Sequence, residues 1–173
     1  MKLVSLLRHA RAVGRSAGVR DLDRPLTARG REDASLMGAF LAAREQPPDL
    51  ALCSPAARTR ETLNAATDHF PEPPHAIFDD AIYAAAPATL LAAVQASPNQ
   101  FGHVLLIGHN PGIHEFALGL AAASEEHAMA RLEKKFPKGA LAQFAFDVAA
   151  WRETNFAGGR LIAFARPKDL RSK

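Results

Sequence analysis

Apolar residues in this chain occur as short dense bursts, separated by longer stretches where they recur every three or four positions. The bursts Lys2–Leu7 (KLVSLL), Leu50–Cys53 (LALC) and Val104–Ile107 (VLLI) are apolar on successive residues, as strands covered on both faces of a sheet must be. Between them the spacing turns helical. Thr27 is placed as the N-cap of a helix running to Arg44, with Leu36, Met37, Phe40 and Leu41 on one face and Pro47-Pro48 beyond its end. Ser54-Pro55 opens a second helix that reaches about Phe70, since proline suits a first helical turn. A short strand is predicted at Ala76–Phe78, then a loop carrying Asp79, Asp80 and Tyr83, then a helix from Pro87 to Ala96. Beyond VLLI comes a helix holding Ile113, Phe116, Ala117 and Leu120, and another over Glu125–Lys135. Strands at Ala140–Phe146 and Arg160–Ala165 read as a hairpin joined by a Gly-containing turn.

Strands alternating with helices predict an α/β fold: a three-layer α/β/α sandwich around a mostly parallel central sheet. At 173 residues the chain suits one domain spanning 1–173. With 48% apolar and 23% charged residues, the composition is that of a soluble globular protein. No apolar run approaches the roughly 20 residues that cross a bilayer, so no membrane partner is expected. Only six apolar-rich positions precede Arg8, too few for a secretory signal. Cys53 is the single cysteine, which excludes an internal disulfide framework and a cysteine-based zinc cluster. The expected location is the cytoplasm.

The formal charge of +3 and the pI near 9.4 raise the question of nucleic acid. The densest basic group, Arg8, Arg11, Arg15, Arg20 and Arg24, has no interleaved aromatics on which bases could stack. Arginines following a strand fit an anionic substrate pocket instead, so no nucleic-acid partner is expected.

Open parallel sheets place ligands beyond the carboxyl ends of their strands. Three of the bursts end in polar groups suited to that position: Arg8-His9, Ser54-Pro55-Ala56-Ala57-Arg58, and Gly108-His109-Asn110-Pro111. In a parallel sheet all three emerge at one edge, beside helix N-termini that favour anions. Guanidinium forks match the oxygens of a phosphate and spread the charge of its transfer. A histidine beside two arginines has its imidazolium form disfavoured, and neutral imidazole is the nucleophile. The chemistry indicated is phosphoryl transfer to His9, with Arg8, Arg58 and His109 gathering the phosphate. The arginines supply the positive charge, so neither a metal nor a cofactor is required.

Leu-Leu-Arg8-His9-Ala10 resembles the Arg-His-Gly signature of the histidine phosphatase superfamily, which is phosphoglycerate mutase-like. Ser54 to Thr62 (SPAARTRET) resembles its second-strand motif, and Gly108-His109-Asn110-Pro111 its late histidine motif. The short chain and Asp23-Arg24-Pro25-Leu26-Thr27 are most similar to the SixA-type phosphohistidine phosphatases. The resemblance covers Lys2 to about Phe146. It implies a phosphohistidine intermediate on His9, Arg58 as phosphate ligand, no large cap domain, and an open pocket. Ala10 stands where the family has glycine. Asn110 is expected at the phosphate site, and capping of the following helix is a role it can hold together with that one, while Arg24 either reaches the phosphate or fixes its loop. For the acid that protonates a leaving group the order of preference is Asp80, then Asp21 and Asp23.

An alkoxide leaving group needs that acid badly, whereas imidazole departing from phosphohistidine needs it less. The expected partner is therefore a signalling or phosphotransfer protein phosphorylated on histidine. The alternatives are a phosphomonoesterase or mutase acting on a small phosphate ester, and a catalytically silent module that binds phosphate or a phosphoprotein. A cysteine phosphatase is rejected: only residues 54–57 separate Cys53 from Arg58, and Cys53 sits in an apolar run, where cysteines are inert. His69, His75, His103, His114 and His127 carry no motif and read as surface or packing residues.

Overall fold

In the computed structural model, which describes residues 1–16, 18–122 and 126–171, the three bursts are three of the inner strands of a single sheet. Its strands are β1 (Lys2–Arg8), β2 (Leu50–Cys53), β3 (His75–Phe78), β4 (His103–Gly108), β5 (Leu141–Phe146) and β6 (Arg160–Ala165), in the order β3-β2-β4-β1-β5-β6. The first four run parallel, β5 is antiparallel to β1, and β6 is antiparallel to β5. The sheet is therefore mixed, with its parallel part where the site motifs lie. The helices are α1 (Ala28–Ala42), α2 (Ala57–Thr67), α3 (Pro87–Gln95), α4 (Gly112–Leu120), α5 (Glu126–Lys134) and α6 (Pro167–Leu170).

Pleating sorts each burst between two cores, because successive strand side chains point to opposite faces. Leu7, Ala51, Cys53, Leu105 and Ile107 meet Met37 and Leu41 of α1 and Leu63 and Ala66 of α2. Val4, Leu6, Leu50, Leu52, Val104 and Leu106 meet Leu90 and Val94 of α3 and Ile113 and Phe116 of α4. Helices thus cover both faces, and among the described residues there is no cap domain. Thr27 caps α1 as expected, accepting from the Gly30 amide at 3.0 Å, a contact worth about 1 kcal/mol. Where α1 crosses α2, a Cβ on Gly38 would lie 2.1 Å from the Ala66 carbonyl oxygen, so that close approach requires glycine.

Some boundaries differ from expectation. The second helix begins at Ala57, because the Ser54 amide still donates to Ile107 O at 3.1 Å and extends the sheet ladder. It stops at Thr67, short of Phe70. Strands β5 and β6 are antiparallel neighbours but no tight turn joins them. Residues 147–159 intervene, with a 3-10 turn at Trp151–Glu153 whose buried Trp151 donates its indole N–H to Phe101 O at 3.0 Å. Helix α6 was not expected, and an Arg171–Asp33 ion pair ties its end to α1. Glu125, the expected start of α5, lies outside the described residues. Among the described residues no helix is long and apolar enough to cross a membrane.

Candidate active site

Strand β4 lies between β1 and β2, all three parallel, so their carboxyl ends sit side by side. Arg8 closes β1, and the His9 amide donates to the carbonyl of Gly108, the last residue of β4, at 3.1 Å. The rings of His9 and His109 are 5.2 Å apart between centroids. His9, Arg58 and His109 are all buried, at 7%, 4% and 8% exposure. Ala10 needs no glycine: it is absent from the positive-φ residues, its side chain packs on Leu26 and Ala34, and its amide donates to Thr62 Oγ1 at 3.0 Å.

The partners of each ring decide its tautomer. His9 Nδ1 lies 2.8 Å from Ala10 O, and a carbonyl can only accept, so Nδ1 carries the proton and Nε2 the lone pair. Among the described residues His9 Nε2 has no hydrogen bond. Burial lowers the His9 pKa to about 3, with His109, Arg58 and Arg8 adding to the effect and the bond to Ala10 O opposing it. The neutral nucleophile expected from the arginines is thus present, but burial is the larger cause. His109 Nδ1 accepts from Arg58 Nη2 at 3.3 Å, so its Nε2–H donates to Ser54 Oγ at 2.8 Å. Burial, then Arg58, lower its pKa to about 4, while Asp21 works the other way.

Both arginines are anchored through terminal nitrogens, Arg8 by one and Arg58 by two. Arg8 Nη1 donates to Phe136 O at 2.9 Å. Arg58 Nη1 donates to Asp21 O at 2.6 Å and its Nη2 to Asp21 Oδ2 at 2.9 Å. Among the described residues the Nε–H of each is buried without an acceptor, at a cost of about 1–3 kcal/mol per group.

Asn110 does not cap the following helix. Helix α4 has Pro111 at its cap position, and the Asn110 amide instead donates to Phe136 O at 3.0 Å, the carbonyl that anchors Arg8. Arg24 fixes its loop, with Nη1 on Val13 O at 2.7 Å and Nε on Asp21 Oδ1 at 3.0 Å. Asp80 hydrogen-bonds to neither histidine. It lines a surface groove of about 410 Å³ with Leu22, Asp23 and Arg60. Asp23 pairs with Arg20.

Asp21 is the carboxylate that reaches the cup. Tyr83 Oη donates to its Oδ2 at 2.6 Å, and that bond together with Arg58 and Arg24 holds the Asp21 carboxyl far below the usual range. The Tyr83 ring stands edge-on to His109, 5.3 Å between centroids. Neither Tyr83 nor the Phe136–Gly139 turn carried a motif. Gly139 adopts φ +73° and donates its amide to Arg8 O and His9 O at 3.2 and 3.1 Å, so a Gly after Pro137-Lys138 was the available signal. Cys53 is buried, and that burial pushes its thiol up to about 12, which leaves it inert. Among the described residues no three His, Cys, Asp or Glu side chains are placed to hold a metal ion.

The chain's likeness to known proteins agrees with this geometry. The sequence profile of the histidine phosphatase superfamily (branch 1) matches residues 4–80. An uncharacterised Mycobacterium tuberculosis protein is 32% identical over 165 residues, spanning 94% of this chain and all of that one. A protein from Nakamurella multipartitia, provisionally described as a phosphohistidine phosphatase SixA, superposes with a TM-score of 0.84 at 31% identity, over 96% of each chain. One from Agrobacterium tumefaciens, described in the same terms, gives 0.80 at 32% identity, over 96% of this chain and 98% of its own.

Proposed function

The chain belongs to the histidine phosphatase superfamily and to its SixA type, and from that premise we propose that it is a phosphatase acting on phosphohistidine in a signalling or phosphotransfer protein. The observation that carries this reading is the state of His9: neutral, with its proton on Nδ1, and with an open Nε2 lone pair among cations. Attack of Nε2 on phosphorus forms a P–N bond to His9. The P–N bond of the substrate breaks, its electron pair returns to the substrate imidazole, and that nitrogen takes up a proton. Water then attacks the phosphorus of the new phosphohistidine, releasing inorganic phosphate and restoring His9.

Arg8, Arg58 and His109 surround the transferring group, and an entering oxyanion relieves the two orphaned guanidinium N–H groups. Two features favour phosphohistidine over a small ester. The carboxylate in the cup, Asp21, is held ionised by Tyr83 and Arg58 and has no proton to give an alkoxide. Among the described residues no cap domain is present, which leaves room for a protein-borne side chain.

The test uses a histidine-phosphorylated protein and p-nitrophenyl phosphate with wild type and His9→Ala. Wild type is expected to prefer the phosphoprotein and to trap acid-labile, base-stable ³²P. Equal turnover by the two variants refutes the reading.

A further inference from the structure

We propose that Asp21 and Tyr83 are positioning residues of the phosphate cup, holding one edge of the Arg58 guanidinium so that its other edge faces the transferred phosphoryl group. The proposal rests on the phosphatase reading above for what the cup binds, and its geometry is independent of it. A guanidinium is a rigid planar fork: Nη1 and Nη2 form its end-on edge, and Nε–H lies parallel to one N–H of Nη2 along its side. Asp21 occupies the end-on edge, taking Nη1 on its carbonyl at 2.6 Å and Nη2 on Oδ2 at 2.9 Å. The remaining Nη2–H points to His109 Nδ1 at 3.3 Å, and the Nε–H beside it has no acceptor. The open edge is therefore the one turned toward His109.

Asp21 is itself held from three sides. Tyr83 Oη donates to Oδ2 at 2.6 Å, Arg24 Nε and Nη2 reach Oδ1 at 3.0 and 2.9 Å, and Arg15 lies 3.6 Å from Oδ1. Its backbone opens the 3-10 turn Asp21–Asp23, closed by the Arg24 amide on Asp21 O at 3.5 Å. Arg8 shows the same arrangement with a neutral anchor: Nη1 is held by Phe136 O and its Nε–H is open. Two arginines anchored through terminal nitrogens, each with an unpaired Nε–H, form a cradle for one oxyanion. The alternative is that the Asp21 carboxylate occupies the phosphate position itself and competes with substrate.

The two readings predict opposite signs. Inorganic phosphate binding is measured by calorimetry, and p-nitrophenyl phosphate kinetics are run in parallel, for wild type, Asp21→Ala, Asp21→Asn and Tyr83→Phe. Positioning predicts that Asp21→Ala weakens phosphate about 10-fold and lowers kcat by roughly 10- to 100-fold. Asp21→Asn, which keeps a neutral acceptor, should recover part of that loss, and Tyr83→Phe should cost about threefold in the same direction. A merely structural role would lower the melting temperature without this graded recovery. Should Asp21→Ala not fold, Asp21→Asn and Tyr83→Phe carry the test. Unchanged or tighter phosphate binding in the folded variants overturns the proposal. Because calorimetry needs no turnover, an inactive wild type would end the phosphatase reading while leaving the role of Asp21 measurable.

Discussion

Strands β1 and β4 carry buried histidines at both ends, and the two ends use them for different purposes. At the amino end, His103 opens β4 and is wholly buried. Its Nδ1 donates to Gln46 O at 2.7 Å, and its Nε2 accepts from Ser5 Oγ at 2.8 Å. At the carboxyl end stand His9 and His109, almost as buried. Burial is the first cause of a lowered pKa in all three, to about 4 for His103, about 3 for His9 and about 4 for His109. A depressed pKa therefore does not separate structural from catalytic histidine in this protein. What separates His9 from both His103 and His109 is its second nitrogen. His103 has both nitrogens satisfied and Asp49 as a nearby charge, whereas His9 leaves Nε2 unpartnered among arginines. A lone pair without a hydrogen bond, near guanidinium Nε–H groups that lack acceptors among the described residues, is the mark of the reactive end.

The sharpest way to break this contrast is to remove each imidazole. His9→Ala is expected to cut phosphatase turnover on the order of 10⁴-fold, as loss of a nucleophile does, with a near-normal melting curve. His103→Ala should leave kcat of the folded fraction within about twofold but cost roughly 2–4 kcal/mol, because it orphans buried partners and opens a cavity. Chemical denaturation and kinetics on both variants check this, and a catalytic loss in His103→Ala with intact stability would erase the distinction.

Acid should act on both ends through stability before it acts on the nucleophile. A histidine with an unfolded pKa near 6.5 and a folded one near 4 binds its proton in the unfolded state first. Between those values the unfolded chain holds more protons, so stability falls as pH falls. The loss begins near pH 6.5 and is complete near pH 4, about 3 kcal/mol for a shift of this size. Denaturant midpoints across that window should drop in wild type and drop less in His103→Gln. Turnover of the molecules still folded at pH 5 should persist, since His9 stays neutral down to about 3. An equal drop in wild type and His103→Gln would show that His103 is charged or solvated in the fold.

Much of this arrangement was legible in the sequence because its signals are local. Consecutive apolar residues identified β1, β2 and β4, and their order in the chain sufficed to bring Arg8, His9, Arg58 and His109 to one edge once parallel pairing was assumed. What was not legible depended on contacts formed in three dimensions. Asp21 ranked behind Asp80 because nothing in the chain reveals that Asp21 faces Arg58 across 37 positions while Asp80 faces a groove. Tyr83 looked like a loop residue until its hydroxyl met Asp21. His103 looked like a packing residue and is one, but only its two partners separate it from His109 six positions later. The Ser54 boundary failed for a related reason: the sheet ladder continued through a residue that local helix signals had claimed.

Two serines provide a matched and smaller probe. Ser5 Oγ and Ser54 Oγ each lie 2.8 Å from Nε2 of a histidine, His103 and His109 respectively, and both serines are fully buried. At His103 the hydroxyl donates to Nε2, and the Gln143 amide 3.5 Å away can partly replace it. Ser5→Ala is expected to cost about 1 kcal/mol with no change in turnover. At His109 the hydroxyl accepts from Nε2–H and so keeps Nδ1 as the acceptor that meets Arg58. Ser54→Ala frees the ring to exchange tautomers, and a proton on Nδ1 would face the Arg58 N–H. A loss of about 3- to 10-fold in kcat at similar stability is expected, visible in steady-state kinetics and in the His109 ring-nitrogen shifts by NMR. Equal behaviour of the two alanine variants would mean that a hydroxyl partner is mere packing at both ends of the sheet, and that the tautomer of His109 is set by Arg58 alone.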